Sequence, residues 1–352
     1  MRDEYSPYKI VHHQDKIEQL RRGKQTSPLQ IHLVVSNRCN QRCTFCAYRM
    51  KGYPSNQKFV ESEMLSYEKV VELLNDSVEM GGKAIQFTGG GEPLTHPRCY
   101  DMVKQTFDRK LDVAFVTNGM ALDEKMCDLL GDACWVRVSV DAATHRTYSS
   151  IRNIPSGAFY QVLRNIELLR KYRREVIIGI GFVVNQENYK EIYEATKIFR
   201  DLGVDNLRIS AAFTNQKYAY FESFRREAQE LAAKAELLRN ERFEVFNLFT
   251  DRVRDTFLAV QDYDYCPMKE LNTFVGADYN VYTCCTLAYN KLGLIGSFKE
   301  TSFKELWEST AKKNFFATHN PRKVCSVPCL YRNKNEFINY CLKHNPRHVN
   351  FP

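Results

Sequence analysis

Three cysteines in one short segment are the residues of this chain most able to do chemistry. Cys39, Cys43 and Cys46 are spaced CxxxCxxC and follow an apolar, strand-like segment, Ile31 to Val35. Cysteine thiolates are the usual ligands of a 4Fe–4S cube, and three of them leave one iron open to a substrate or cofactor. A zinc loop or three buried thiols are the alternatives, because a short motif is not specific by itself.

A glycine-rich loop lies one strand–helix unit further along the chain. It follows the predicted strand that ends at Thr88, and its residues are Gly89, Gly90, Gly91, Glu92 and Pro93. Glycines let a backbone approach a ligand closely and tolerate positive φ, and Glu92 can accept a hydrogen bond from an ammonium group. Taken alone, such a run is also typical of an ordinary turn.

Together the two loops strongly resemble those of the radical SAM superfamily, whose cysteine loop follows the first strand and whose GGE-type loop follows the second. The resemblance covers roughly residues 28 to 212. It implies that Cys39, Cys43 and Cys46 hold a 4Fe–4S cluster, with S-adenosyl-L-methionine (SAM) as the second cofactor. It further implies that reduction cleaves SAM to a 5′-deoxyadenosyl radical, which removes a hydrogen atom from the substrate.

The resemblance also assigns SAM-binding roles to loops after later strands. In similar proteins a serine and an arginine at the positions of Ser139 and Arg152 hold the SAM carboxylate, and a guanidinium suits that task because it binds carboxylates in a bidentate fork. A surface ion pair is the alternative for Arg152. The remaining positions implied are Phe45 near the adenine, Gly90, Gly91 and Glu92 at the amino end, and the loop residues Asn118 and Asn185.

The rest of the pattern alternates strand and helix. The strand candidates are Gln30–Ser36, Lys83–Thr88, Asp112–Thr117, Trp135–Val140, Val176–Val183 and Asn206–Ala212. Each gap is long enough for a right-handed crossover, so the sheet is predicted to be parallel. The fold class is therefore α/β, and six such units match the partial (β/α)6 TIM-type barrel of radical SAM cores. Loops at the strand C-termini are expected to carry the site.

A second group of cysteines follows this core. The segment from Gly276 to Thr283 is predicted to form a hairpin, and a helix containing Trp307 comes after it. The region resembles the SPASM/twitch extension of radical SAM enzymes, which holds auxiliary 4Fe–4S clusters. The resemblance favours one auxiliary cluster with Cys266, Cys284, Cys325 and Cys329 as ligands. Structural zinc is the alternative, and Cys285 or Cys341 could replace one ligand.

Length and composition bound the remaining possibilities. The 352 residues are divided into an N-terminal arm (1–27), the core (28–240) and an auxiliary-cluster domain with a basic tail (241–352). No stretch approaches 18 apolar residues, which predicts no membrane span. Twelve cysteines without a secretion signal indicate a reducing, cytoplasmic setting. The net charge of +8 predicts a solvated basic surface rather than a nucleic-acid interface, since no recognition module is visible.

The function predicted from these features is radical SAM oxidation of a small molecule of sugar, aminocyclitol or nucleoside type. The auxiliary cluster would accept an electron, and a flavodoxin or ferredoxin-type protein would supply the reductant. Residues 1–27 look too short for a leader-binding domain, which favours a small molecule over a peptide. The alternatives are an epimerase or peptide-modifying enzyme in which Cys285 or Cys341 donates a hydrogen atom, and an iron–sulfur or zinc protein without catalysis.

Overall fold

One sheet of ten strands runs through the chain and presents the loops of interest at its strand ends. The computed structural model describes residues 5–53, 57–258, 260–325 and 328–343; the end of the basic tail, with Arg347, lies outside these ranges. The strands are β1 (Gln30–Val34), β2 (Ala84–Thr88), β3 (Asp112–Thr117), β4 (Trp135–Ser139), β5 (Ile177–Val184), β6 (Asn206–Ala211), β7 (Glu244–Asn247), β8 (Asn272–Val275), β9 (Asn280–Tyr282) and β10 (Leu294–Ser297).

Helices alternate with the early strands and gather again near the end of the chain. They are α1 (Gln14–Arg21), α2 (Tyr67–Glu79), α3 (Cys99–Asp108), α4 (Glu124–Leu130), α5 (His145–Arg152), α6 (Ala158–Lys171), α7 (Ile192–Asp201), α8 (Arg225–Glu236), α9 (Phe249–Leu258), α10 (Met268–Leu271), α11 (Phe303–Glu308), α12 (Thr310–Thr318), α13 (Pro321–Val324) and α14 (Arg332–Cys341). Short 3-10 turns lie at Pro7–His12, Pro93–Thr95, Tyr189–Glu191, Lys217–Phe221 and Cys285–Leu287.

The first six strands form the predicted parallel arrangement. β1 to β6 lie side by side in chain order, and each neighbouring pair is parallel. All six agree with the predicted bounds to within two residues at each end. One face of these strands is apolar and packs under the crossover helices in a single hydrophobic cluster. The α/β class and the partial barrel are therefore confirmed.

The opposite face of the strands, the inner face of the barrel, is polar. Because side chains alternate along a strand, the register places His32, Gln86, Arg137 and Arg208 together on this face. These positions are half-buried, whereas the residues between them are fully buried against the helices. Because side chains alternate between the two faces of each strand, the interior of the barrel is lined with polar side chains.

The C-terminal extension continues the same sheet rather than forming a separate one. β8 pairs in parallel with β1, with Asn272 opposite Gln30, and β9 and β10 follow as antiparallel strands. At the other edge β7 pairs with β6, so the sheet crosses the predicted boundary at residue 240. The predicted hairpin and the helix with Trp307 are both present, as β8–β9 and α11. The indole of Trp307 donates to the Thr26 carbonyl at 2.9 Å.

The N-terminal segment, predicted as a polar arm, contains α1 and packs on this extension. Ile10, Ile17 and Leu20 form a small hydrophobic cluster with Leu271 and Ile338. These three N-terminal residues are separated by seven and three positions, which is helical spacing. The many polar residues of the segment obscure this pattern in the sequence. Across the described residues, no helix is both long enough and apolar enough to cross a bilayer.

Candidate active site

The cysteine loop leaves the end of β1 and is held by backbone hydrogen bonds on two sides. On one side Glu92 N donates to the Arg38 carbonyl at 2.7 Å. On the other, Thr44 N donates to the Ile151 carbonyl at 2.9 Å, and Arg42 N donates to Arg152 O at 3.0 Å. The loop is thus fixed between the glycine loop and the end of α5. The thiols of Cys39, Cys43 and Cys46 are half-buried in it.

The glycine loop packs against the cysteine loop more closely than any side chain would allow. A Cβ atom on Gly91 would lie 2.0 Å from the Arg38 carbonyl oxygen, and one on Gly90 would lie 2.5 Å from Asn37 Oδ1. Neither glycine has a positive φ, so the predicted need for glycine holds through close contact and not through backbone conformation. Gly91 approaches protein backbone and Gly90 approaches side chains, among them that of Asn37, so this loop supports the cysteine loop.

Glu92 is buried and links the glycine loop to the end of β3. Its two carboxylate oxygens accept hydrogen bonds from Thr117 Oγ1 and Asn118 N, both at 2.7 Å, and Leu94 N adds a third at 3.2 Å. Burial raises the pKa of Glu92, and these donors oppose that rise. Its predicted contact with the amino group of SAM would add to these bonds.

Arg152 is buried, so the surface ion pair considered for it is excluded. Its guanidinium donates to Asp141 through Nη2, and through Nη1 to Gln41 Oε1 at 2.9 Å and to Cys43 Sγ at 3.4 Å. Burial opposes its charge, but the Cys43 thiol and Asp141 raise the pKa of Arg152 on balance. The phenyl ring of Phe45 lies 5.7 Å from its Cζ. A fixed positive charge therefore sits beside the middle cysteine.

Two buried donors at this site have no acceptor among the residues that the structure describes. They are Nε of Arg152 and Nδ2 of Asn185. Buried donors of this kind are rare, because leaving one unpaired costs roughly 1–3 kcal/mol. Both are N–H donors that suit a carboxylate, so the predicted SAM carboxylate fits the chemistry of this donor set.

The other predicted SAM-binding residues lie at the same ends of the strands. Asn118 follows β3. Its side-chain nitrogen, Nδ2, donates to Asn40 Oδ1 at 2.7 Å and lies 4.0 Å from Cys39 Sγ. Ser139 is the last residue of β4 and is half-buried. The carboxyl ends of parallel strands meet at one rim of a barrel, which is why residues far apart in sequence converge here.

The four cysteines predicted to hold an auxiliary cluster line one cavity. Tyr263 and Tyr331 also line it; the cysteines are Cys266, Cys284, Cys325 and Cys329. The Tyr263 hydroxyl donates to Cys329 Sγ at 3.2 Å, and the Cys266 thiol donates to Asn335 Oδ1 at 3.5 Å. Burial, followed by Cys329 and Cys284, raises the pKa of Cys266 to about 12. In the described ranges no three ligand-type side chains converge on the position of a single metal ion.

The two candidate hydrogen donors occupy different places. Cys285 follows Cys284 of the cavity and packs against the hydrophobic cluster that contains Tyr282 and Tyr289, as does Tyr48. Burial, and then Cys285 and Cys46, raise the pKa of Tyr48. Cys341, at the end of α14, instead packs with Ile17 and the other residues around α1. Of the two candidates, Cys285 is thus the one next to a cavity cysteine.

Sequence reasoning missed several residues that complete these sites. Asp141, two residues after β4, partners Arg152 and has a positive φ of 62°. Gln41 lies between the first two cysteines, and its buried side chain links Arg152 to the Tyr148 hydroxyl. An acidic residue directly after a strand could have pointed to Asp141. Tyr263 and Asn335 show no such pattern, because only the fold brings them to the cysteines.

Two family models match the chain, and each matched region contains one of the two groups of cysteines. Residues 33–199 match the family model of the radical SAM superfamily, and residues 266–330 match that of SPASM, an iron–sulfur cluster-binding domain. Residues 33–199 are therefore a radical SAM domain, and a SPASM domain follows at 266–330. The first domain uses a 4Fe–4S cluster and SAM, and the second holds an auxiliary cluster.

Curated relatives match about half of the chain. The tungsten-containing aldehyde ferredoxin oxidoreductase cofactor-modifying protein of Pyrococcus furiosus is 31% identical over 189 residues, 51% of this chain and 50% of that protein. The AdoMet-dependent heme synthase of Methanosarcina barkeri is 31% identical over 179 residues, 50% of this chain and 48% of that protein. The chain thus spans about half the length of the curated relatives it matches.

Solved structures are similar over nearly the whole chain. Streptococcus suis SuiB bound to S-adenosylmethionine has a TM-score of 0.65 at 12% identity, over 97% of this chain and 80% of that one. Native anSMEcpe with bound AdoMet has a TM-score of 0.60 at 18% identity, over 90% and 96% respectively. At these identities the likeness establishes a shared fold.

Proposed function

We propose that this chain is a radical SAM oxidoreductase acting on a small molecule of sugar, aminocyclitol or nucleoside type, with an auxiliary 4Fe–4S cluster that accepts an electron. The rigid connection between the two cysteine sites carries the proposal. β1 runs toward Cys39, whereas Cys266 precedes β8, which pairs in parallel with β1, so the two sites lie toward opposite ends of one strand pair. A strand of five residues is about 17 Å long, and both sites are fixed to this rigid unit, which suits electron transfer between a substrate and a second cluster.

In this proposal Cys39, Cys43 and Cys46 hold the first cluster as thiolates. Arg152 Nη1 donates to the middle sulfur, Cys43 Sγ, at 3.4 Å. When bound, the cluster and SAM supply the one-electron chemistry that starts hydrogen-atom abstraction. Phe45 lies at the same rim, over Arg152, and would cover the adenine. The chain's own task is to fix these groups and to exclude water.

SAM would be oriented by the donors and acceptors around the cysteine loop. Its carboxylate would accept from Arg152 Nε and Asn185 Nδ2, both buried without another acceptor in the described chain. Ser139, at the end of β4, would add a hydroxyl. The amino group of SAM would face Gly90, Gly91 and Glu92 at the rim. Asn118 would lie beside the first cysteine.

The auxiliary cluster would be held by the four cysteines that line the second cavity, namely Cys266, Cys284, Cys325 and Cys329. Tyr263 donates to one of these sulfurs, and such a bond stabilises a thiolate. We further propose that a flavodoxin or ferredoxin-type protein supplies electrons, and that the protein works in the cytoplasm, given its twelve cysteines.

Iron content and SAM cleavage test this function together. Anaerobically reconstituted protein should carry about eight irons per chain, as two cubes of four. The combined Cys39→Ala, Cys43→Ala, Cys46→Ala variant should lose about half of the iron and stop releasing 5′-deoxyadenosine. Cys134→Ala, which removes an exposed thiol, should change neither value. Zinc in place of the second four irons would refute the auxiliary cluster and leave the first site standing.

Epimerisation is the second candidate, and the position of Cys285 directly after a cavity cysteine favours it. A thiol at this position could return a hydrogen atom to a substrate radical. In deuterated water an epimerase would place deuterium on one carbon of a stereoisomeric product, and Cys285→Ala would stop that product but not deoxyadenosine release. The oxidoreductase proposed here should instead give a product oxidised by two electrons without such deuterium. Loss of auxiliary iron in Cys285→Ala would contradict both and make Cys285 a ligand.

A further inference from the structure

Two arginines project from the inner face of the barrel on either side of a strand that has glycines there. Arg137 of β4 is in register with Gly179 of β5, and Arg208 of β6 is in register with Gly181. Since adjacent strands are about 4.8 Å apart, the backbones of β4 and β6 lie roughly 10 Å apart. A Cβ atom on Gly181 would lie 3.5 Å from Arg137 Cδ, so the arginine side chain crosses the space that the glycine leaves.

Both guanidinium groups converge on the ring of Tyr5. Their Cζ atoms lie 5.7 Å (Arg137) and 5.9 Å (Arg208) from its centroid. Arg137 Nη2 donates to the Tyr5 hydroxyl at 2.8 Å. No acceptor in the described part of the chain receives a hydrogen bond from Arg208, whose Nε is buried. Each guanidinium has five N–H donors, so most donors of the pair are uncommitted.

The surroundings of these arginines are cationic. Burial, and then Arg208, lower the pKa of Arg137 to about 10, while Tyr5 acts in the opposite direction. Burial, and then Lys334 and Arg137, lower the pKa of His32 on the same face to about 3. The inner face therefore carries concentrated positive charge.

Burial raises the pKa of Asp141, while Arg152, the Val183 N–H group and then Arg208 oppose that rise, so Asp141 is a carboxylate within electrostatic reach of Arg208. Both of its oxygens already accept hydrogen bonds, Oδ2 from the Arg152 guanidinium and Oδ1 from Val183 N. In the described chain no carboxylate forms an ion pair with Arg137 or Arg208. Two like charges held together in a low-dielectric interior are costly unless an opposite charge joins them.

We propose that Arg137 and Arg208 form an anion-binding site inside the barrel, and that this site takes a phosphate or carboxylate group of the substrate. Guanidinium groups bind both anions in bidentate fashion. Ser139 lies two residues beyond Arg137 on the same face, at the rim where the cysteine loop begins. A substrate anchored by its anion would therefore reach toward that rim. The assignment to substrate rests on the function proposed above, whereas anion binding itself does not.

Equilibrium binding of small anions to the anaerobically reconstituted protein tests the site. Inorganic phosphate and succinate serve as separate probes at an ionic strength held constant with sodium chloride, and they distinguish the two anion chemistries. Arg208→Gln should weaken binding of the preferred probe about ten- to hundred-fold, the loss expected for a charged hydrogen-bond partner. Arg208→Lys should recover part of it. Arg208→Gln should also not lower the melting temperature in chloride, because it relieves repulsion between like charges.

Two control arginines make the outcome decisive. Arg226→Gln removes an exposed charge on α8. Arg242→Gln alters a different arginine-rich cavity of about 490 Å³, at the beginning of β6 and β7. Three outcomes would each overturn the anion site. They are unchanged anion binding in Arg208→Gln, binding of neither probe by the parent protein, and a loss of anion binding in Arg242→Gln alone. A protein that binds phosphate through Arg208 but cannot cleave SAM would instead refute the proposed function and leave this site intact.

Discussion

The buried pair of Arg152 and Asp141 shows how one contact can serve both stability and ligand binding. Asp141 holds two donors, the Arg152 guanidinium and Val183 N, and its backbone is in the left-handed region. This conformation is held in place by its neighbours, as is common where a site stores local strain. Arg152 in turn keeps one donor, Nε, without a partner in the described chain. The pair therefore positions a donor that folding alone does not need.

Removing the arginine alone should damage folding as well as SAM binding. Arg152→Met leaves Asp141 charged and buried, at a cost of about 3–5 kcal/mol in the free energy of unfolding. Adding Asp141→Asn removes that charge and should recover much of the loss. Affinity for SAM should stay ten- to hundred-fold lower in both variants. Urea unfolding and equilibrium SAM binding measure the two effects separately.

An exposed pair provides the matched comparison for this prediction. Arg200→Met breaks the contact with Asp201 on the surface and should cost at most about 1 kcal/mol. If Arg152→Met were no less stable than Arg200→Met, the buried pair would not matter to the fold. If the double variant bound SAM like the parent, Arg152 would not be a SAM ligand.

At the scale of single residues, sequence patterns located the positions but not their partners. The cysteine spacing marked Cys39, Cys43 and Cys46 without any structure, and Arg152 was expected near a carboxylate. The pairing with Asp141 was not foreseen, because that contact depends on the turn after β4 and on where α5 ends. Contacts that turn geometry sets cannot be inferred from spacing alone.

At the scale of elements, the glycine loop acts as a spacer that sets the position of the cysteine loop. Gly91 N donates to the Ser36 carbonyl at 3.2 Å, and the contacts of Gly90 and Gly91 leave no room for a Cβ atom. The glycine loop thereby fixes where the cysteine loop lies relative to the end of β1. The chemistry of the cysteines therefore depends on an element that need not touch the cluster.

Gly91→Ala should disturb the first cluster while leaving the auxiliary site intact. Its Cβ atom would clash with the Arg38 backbone, which cannot move aside like a flexible side chain. Overpacking of this kind costs about 1–3 kcal/mol, and displacement of the cysteine loop should lower iron occupancy from about eight toward four. Iron analysis and the spectrum of the SAM-binding cluster are the measurements. Gly157→Ala is the control, since nothing lies within 4 Å of its added methyl group; equal iron in both variants would contradict the spacer role.

The order of elements was predictable, but the edges of the sheet were not. Strands β1 to β6 have strong apolar patterns with crossover helices between them, so local sequence determined their position and direction. The pairing of β8 with β1 joins residues about 240 positions apart, and no local pattern encodes that choice. The helical N-terminal segment was also missed, because its few apolar residues are diluted by polar ones.

At the scale of the whole molecule, the core and the extension share one hydrophobic interior. The largest cluster of buried residues includes Val136 and Phe182 of the barrel together with Val281, Phe298 and Trp307 of the extension. The backbone pairing of β8 with β1 adds hydrogen bonds across the same boundary. The two matched domains are thus parts of a single packed body.

This continuity predicts that both regions unfold in one transition. The chain has two tryptophans, Trp135 in β4 and Trp307 in α11, so each region carries its own fluorescent reporter. Trp307→Phe and Trp135→Phe leave one reporter each. Their urea transitions in the metal-free protein should coincide, as expected for a cooperative unit. A Trp307 transition at clearly lower urea than that of Trp135 would show that the extension unfolds by itself.

The pairing of β8 with β1 has a consequence for how the protein is made. β1 is synthesised about 240 residues before its second neighbour, β8. At roughly 5–20 residues per second, that edge stays open for about 12–50 s of translation. Unpaired strand edges attract other strands, and this one lies directly before the three cysteines. The nascent chain is therefore most exposed to mispairing and premature thiol oxidation just where its first cofactor must later assemble.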